Sequence, residues 1–400
     1  MAKETNFYRK KLSNGLTVLF EKRNLPIVTT SVSSKVGAEY EQENTKGISH
    51  FIEHLVFKGT KNRKQQEISG DIEKKGGILN AFTGEEVTCF WNKLPNKHLK
   101  LGIDISSDLA LNPLFEQTEL ERERKVILEE IKMYHDNPQY YVLKKIKSLL
   151  YENPHSMNIL GTTQSVSQIS RQDILNHYKS AYSTDNMILT VVGNAEFEEI
   201  CEIGERTFPK TKKTIKEIKP IKKNQELIEK RKGLDQANLV LGYHIPTLKE
   251  KGRYDAQILD IILAGGMSSR LFQEIREKRG LAYVVKGIPQ QDKNYGNELI
   301  YVGTTKENVK KVKELILQEI KKIQNLEKKD FSEAKEQLIG LKEVESENSE
   351  EVMTELIYEE NAGNAREYYK FQEKISRLKL ENIKKLARLK GYSFIALIPE

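Results

Sequence analysis

Hydrophobic and polar positions change their period several times along the chain. Near the start, NGLTVLFEK (14–22) sets an Asn-Gly turn before a mostly apolar run, and VTTSVSSKVGAEYE (28–41) alternates polar with small or apolar residues. Both patterns predict strands. Apolar residues then recur at helical spacing over roughly 46–58 and 64–75. Gly76 and Gly77 break the second helix, and ILNAFTGEEVTCFWNKL (78–94) returns to strand character through its β-branched and aromatic residues. Further helices are predicted over about 97–111, 117–134 and 138–151, with a strand at NMILTVVGN (186–194).

Residues 210–233 are Lys-rich, contain a proline and lack an apolar period, so they read as a solvated linker. Beyond them the order repeats loosely: a strand at 237–245, a helix at 254–266, then long helices and a closing strand at 392–400. The pattern predicts an α+β fold of two similar domains, residues 1–209 and 234–400. Each is expected to be a mixed, mainly antiparallel sheet flanked by helices, and a length of 400 residues suits two cores.

Charge narrows the function classes. The 65 Lys+Arg and 58 Asp+Glu are interspersed, giving a net charge of only +7. There is no basic stripe with aromatics between its charges, so nucleic acid is not an expected partner. No window approaches about 18 uninterrupted apolar residues, so no membrane span is expected either. The two cysteines, Cys89 and Cys201, have no framework spacing and fit buried thiols in a reducing compartment. With no apolar signal region at the N-terminus, the expected location is the cytoplasm.

The candidate chemistry lies in HFIEH, residues 50–54, in a chain with seven histidines. Residues four apart share a helical face, so His50 and His54 can converge on one ion. Glu53 stands at the edge of that face, within reach of a water on the ion but placed differently from a ligand. This is the inverted HxxEH arrangement. The same residues also fit two hydrogen-bonded histidines on a partly buried helix.

A catalytic zinc needs a third protein ligand and an open position. The helix TELERERKVILEEIKMYHD (118–136) offers several glutamates. Leu120, Val126, Ile127, Ile131 and Tyr134 define its expected inward arc, which contains Glu130 and, one heptad earlier, Glu123. A core-facing carboxylate is costly unless paired or bound to metal. Glu130 is thus the candidate ligand, and Glu123 a partner that orients a ligating histidine. The other histidines are scattered singly and read as structural or surface residues.

Together these residues resemble the pitrilysin/insulinase family of zinc metallopeptidases, in its short two-domain form that includes the mitochondrial processing peptidase and prokaryotic relatives. The resemblance implies one Zn²⁺ per chain on His50, His54 and Glu130, with Glu53 as general base in hydrolysis of peptides or unfolded polypeptides. It makes NAFTGEEVTCFW (80–91) a substrate-binding edge strand, with Asn80 and Ala81 positioning the scissile peptide. RLFQEIREKRGLAY (270–283) resembles the Arg…Tyr element of the second domain, assigning Arg276 and Tyr283 to substrate backbone or oxyanion. A homodimer or heterodimer is implied, in which Arg276 and Tyr283 of one subunit complete the site of the other. A non-catalytic subunit of a peptidase-like assembly is the competing expectation.

Overall fold

The computed structural model describes residues 6–214 and 216–400. They gather into two compact units, neither of them continuous in sequence. The first runs through Ile131 and adds Met157–Ile218 and Glu345–Tyr369. The second holds Lys132–Ser156, Lys219–Val344 and Lys370–Glu400. Compared with the expected 1–209 and 234–400, two segments therefore pack with the other half of the sequence.

The first unit is built on six strands: β1 (Phe7–Lys11), β2 (Thr17–Lys22), β3 (Ile27–Ser34), β4 (Ile78–Thr83), β5 (Thr88–Pro95) and β6 (Met187–Gly193). Their order is β1-β2-β6-β3-β5-β4, with β2 and β6 parallel and the other pairs antiparallel. The stretch 78–94, expected as one strand, is a hairpin, because Gly84 and the two glutamates after it turn the chain.

Both faces of this sheet are covered, which explains why β6 (MILTVVG) is buried throughout and shows no alternation. One face packs Val18, Phe20, Val32, Phe90 and Leu189 against helices α1 (Ile48–Val56), α2 (Gln65–Glu73), α3 (Leu99–Leu111) and α4 (Gln117–Asp136). The other face packs Leu19, Trp91, Ile188 and Val192 against Val352, Met353, Leu356 and Ile357 of the helix Ser349–Ala362. Cys89 belongs to that second cluster, and both cysteines are free and buried, as expected.

The second unit holds β7 (Glu226–Arg231), β8 (Ala237–His244), β9 (Ala282–Gln291), β10 (Gly296–Thr304) and β11 (Ser393–Pro399), ordered β7-β11-β8-β10-β9. Only β7 and β11 are parallel. Strand for strand, this is the first sheet without its outer β1. The duplication that the sequence only hinted at is plain in the topology.

Strand β7 lies inside the stretch 210–233 that was expected to be linker. Its inward positions are Leu227, Glu229 and Arg231, while Ile228 is 60% exposed. Glu229 accepts a hydrogen bond from Tyr141 at 2.6 Å, and the Arg231 guanidinium covers the same ring at 4.4 Å. Among the described residues no helix is long and apolar enough to cross a membrane.

Candidate metal centre

Helix α1 carries HFIEH, with Phe51, Ile52, Leu55 and Val56 committed to the core. Those anchors turn His50 and His54 to the same side, with ring centroids 4.7 Å apart. Helix α4 is anchored by Leu120 and Ile127, and Glu123 and Glu130, one heptad apart along one side of those anchors, face the same way. Val126, placed by the sequence on the inward arc, is instead 49% exposed. The true arc is narrower and centred on Leu120, Glu123 and Ile127.

Glu130 Oε2 lies 3.7 Å from His50 Nε2 and 3.6 Å from His54 Nε2. The donor atoms of His50, His54 and Glu130 all fall within 4.8 Å of one another, the one such group among the described residues. Ligands at zinc bond lengths of about 2.0–2.1 Å in a tetrahedron stand about 3.4 Å apart. Both Glu130–histidine separations are close to that spacing, so the donor set suits an ion of that size.

The orientation of His54 is fixed from behind. His54 Nδ1–H donates to Glu123 Oε2 at 3.0 Å, so Nε2, facing Glu130, is the nitrogen that would give up its proton to take a cation. Lys58 Nζ pairs with the other Glu123 oxygen at 2.9 Å. Burial opposes charge on Glu123, yet the bonds from His54 and Lys58 hold its carboxyl below the ordinary range. Glu130 is likewise held low by the two histidines against burial. Burial opposes the charged form of His54, but Glu123 and Glu130 outweigh it and push its pKa up to about 9. The cluster has gathered negative potential that favours a cation.

Glu53 projects beside this group, and its Oε2 accepts a bond from Thr83 Oγ1 at 2.5 Å. Burial pushes the Glu53 carboxyl up, with Thr83 and His54 opposing. Thr83 ends β4, which pairs with β5 on one side and is the last strand of its sheet. Asn80 is exposed on that edge, Ala81 half-buried, and Asn80 Oδ1 accepts the Ala81 N–H at 2.8 Å. An extended chain can extend this sheet.

Within the second unit, Arg276 sits on a π-helical turn, Phe272–Glu277. Its guanidinium lies 4.8 Å from the Phe272 ring and 5.2 Å from the Tyr283 ring. Tyr283 is 74% exposed near the start of β9, the corresponding edge strand. The fold brings the Arg and Tyr together.

Sequence reasoning missed Glu41, Lys46, Lys58 and Thr83, all of which touch α1 or its neighbours. Lys58 was accessible, since it lies one helical turn after His54. The others sit in loops or at a strand end, where no period marks an inward side chain.

Residues 17–163 match the family model described as Insulinase (Peptidase family M16), and residues 168–338 match the one described as Peptidase M16 inactive domain. A Rickettsia felis protein described as an uncharacterized zinc protease is 35% identical over 343 residues, 83% of this chain and 82% of that protein. The chain belongs to peptidase family M16. The M16 chain is also 31% identical over 350 residues to the Bacillus subtilis uncharacterized zinc protease YmxG, covering 85% of each. Such coverage of its relatives makes it a short two-domain member, the pitrilysin/insulinase type expected. A protease from Helicobacter pylori shares the fold of the M16 chain with a TM-score of 0.91 at 22% identity, over 98% of this chain and 99% of that one. The model described as inactive covers none of His50, Glu53, His54 and Glu130.

Proposed function

We propose that this M16 chain is a zinc endopeptidase that cleaves peptides or unfolded polypeptides in the cytoplasm, with one Zn²⁺ held by His50, His54 and Glu130. The reading is carried by the convergence of those three donors beside Glu53, next to the open edge of β4. Bound zinc supplies Lewis acidity, making a water acidic and a carbonyl electrophilic near neutral pH.

The chain's own groups do the rest. An extended substrate adds as a strand beside β4, where Asn80 and Ala81 register its scissile bond, so folded chains are poor substrates. Glu53, held at Oε2 by Thr83, takes the proton of the attacking water at Oε1 and returns it to the leaving nitrogen. Glu123 keeps the His54 Nε2 lone pair aimed at the ion. Arg276 and Tyr283, supplied by a second chain in a homodimer or heterodimer, bind the substrate backbone and the developing oxyanion.

The test is metal analysis with cleavage of a quenched peptide library, for wild type and Glu53→Gln. One zinc per chain in both, with activity lost in the variant, is the expected result. A metal-free, inactive wild type overturns the enzyme reading and favours a non-catalytic subunit. Mixing inactive Glu53→Gln and Arg276→Ala chains should restore part of the activity, and none in verified mixed dimers refutes the shared site.

A further inference from the structure

We infer that Glu41 and Lys46 form a buried positioning pair that aims α1, and through it sets the metal affinity of the site. The inference rests on the metal reading above and concerns residues outside the ligand set.

Helix α1 has nine residues, too few to be stable by itself. His50 stands in its first turn, where backbone N–H groups lack intrahelical acceptors. The residue that precedes the helix is Gly47, which has no side chain to cap them. Glu41 supplies two acceptors there from the preceding loop. Its Oε2 accepts the Gly47 N–H at 2.9 Å and its Oε1 accepts the Ser49 N–H at 2.7 Å. One carboxylate thereby grips the backbone immediately before His50 at two points.

Glu41 is 1% exposed and Lys46 is 0% exposed. The lysine Nζ lies 3.6 Å from Glu41 Oε2 and donates to the Ala38 carbonyl. Burial pushes the Glu41 carboxyl up, with Lys46 and the Gly47 and Ser49 N–H groups opposing, so the lysine is what favours a charged cap in this position. The other side of the helix start is closed as well. Ser165 Oγ donates to the Lys46 carbonyl at 2.7 Å, and Gly47, at φ +97°, runs past the Leu160 carbonyl with no room for a Cβ. The start of α1 is thus fixed in rotation and not only terminated. A rotation of about 10° moves an atom at the rim of a helix by about 1 Å, half the length of a zinc–ligand bond.

The test is the double variant Glu41→Gln/Lys46→Met, in which both charges leave together and the apo chain should melt near wild type. The introduced amide offers one acceptor oxygen where the carboxylate offers two. Zinc affinity, read by competition with a chromophoric chelator, should fall about 10- to 100-fold, and the visible spectrum of the Co²⁺-loaded variant should shift. Wild-type affinity with an unchanged Co²⁺ spectrum in a folded variant would mean that the pair only stabilises a helix. A second arm needs no variant. By reciprocity, Zn²⁺ loading should slow hydrogen exchange at the Gly47 and Ser49 amides, and unchanged exchange there overturns the inference. A wild-type chain that takes up no zinc removes the metal reading itself, and this inference with it.

Discussion

Thr83 and Glu53 are joined by a 2.5 Å hydrogen bond that ties the last residue of an edge strand to the carboxylate proposed to move the proton. The surface where substrate would dock and the group that would act on it are therefore one mechanical element. Thr83→Val keeps the volume and removes the donor. A bond to a carboxylate contributes about 1.5–3 kcal/mol, so kcat should fall at least about tenfold with KM little changed. Thr83→Ser should recover most of the loss. A variant whose KM alone moves would show that Thr83 serves docking only.

Glu123 is expected to act through His54. Glu123→Leu removes the acceptor for Nδ1–H and should weaken zinc binding about 10- to 100-fold, while Glu123→Gln, which keeps one acceptor oxygen, should lose less. Chelator competition on the purified chain measures both. Equal affinity in wild type and the leucine variant would contradict the orienting role.

Gly47 and Gly76 separate two kinds of glycine. Both have positive φ, +97° and +76°, but a Cβ at Gly47 would meet the Leu160 carbonyl oxygen at 2.5 Å, whereas at Gly76 nothing lies within 4 Å. Gly76→Ala should lose only the left-handed backbone penalty of about 1–2 kcal/mol. Gly47→Ala should lose clearly more in urea unfolding, and equal losses would refute the clamp at the start of α1.

The second unit buries two acids that charge reluctantly. Asp260, on the helix Arg253–Leu263, is pushed up to about 6 by burial, and Glu298, the cross-strand neighbour of Tyr243, is raised by burial and by Asp260. Both bind protons more tightly folded than unfolded. The stabilising contribution of Asp260 is therefore complete below about pH 4 and is lost as the pH rises through about 6, and that of Glu298 has the same sign. Asp260→Asn, measured against wild type by thermal melting, should gain about 3–6 °C between pH 4 and pH 8. A difference that stays flat over that range would exclude the titration.

Much of the centre was legible because a helix converts spacing into direction. His50, His54, Glu123 and Glu130 could be placed on facing arcs from the 3.6-residue period alone, and the structure puts them together. The same rule misplaced Val126, since an arc drawn through every apolar residue of α4 is wider than the one that packs. Strand β7 was hidden for the opposite reason, two of its three inward positions being Glu229 and Arg231, which both engage Tyr141. Glu41 and Lys46 carried no signal at all, because a loop has no period and charged residues are surface residues by default. The packing of residues 345–369 into the first unit depends on contacts across most of the chain, which no local pattern encodes.

That last packing has a consequence for how the protein is made. Leu19, Trp91, Ile188 and Val192 are covered by side chains between Val352 and Tyr368. On the ribosome the motif helix emerges before those residues, so the sheet beneath it keeps one apolar face bare until residues 345–369 have followed. The first unit therefore closes only after residues 219–344 of the second have been synthesised, and until then its candidate metal centre stands on a half-covered sheet.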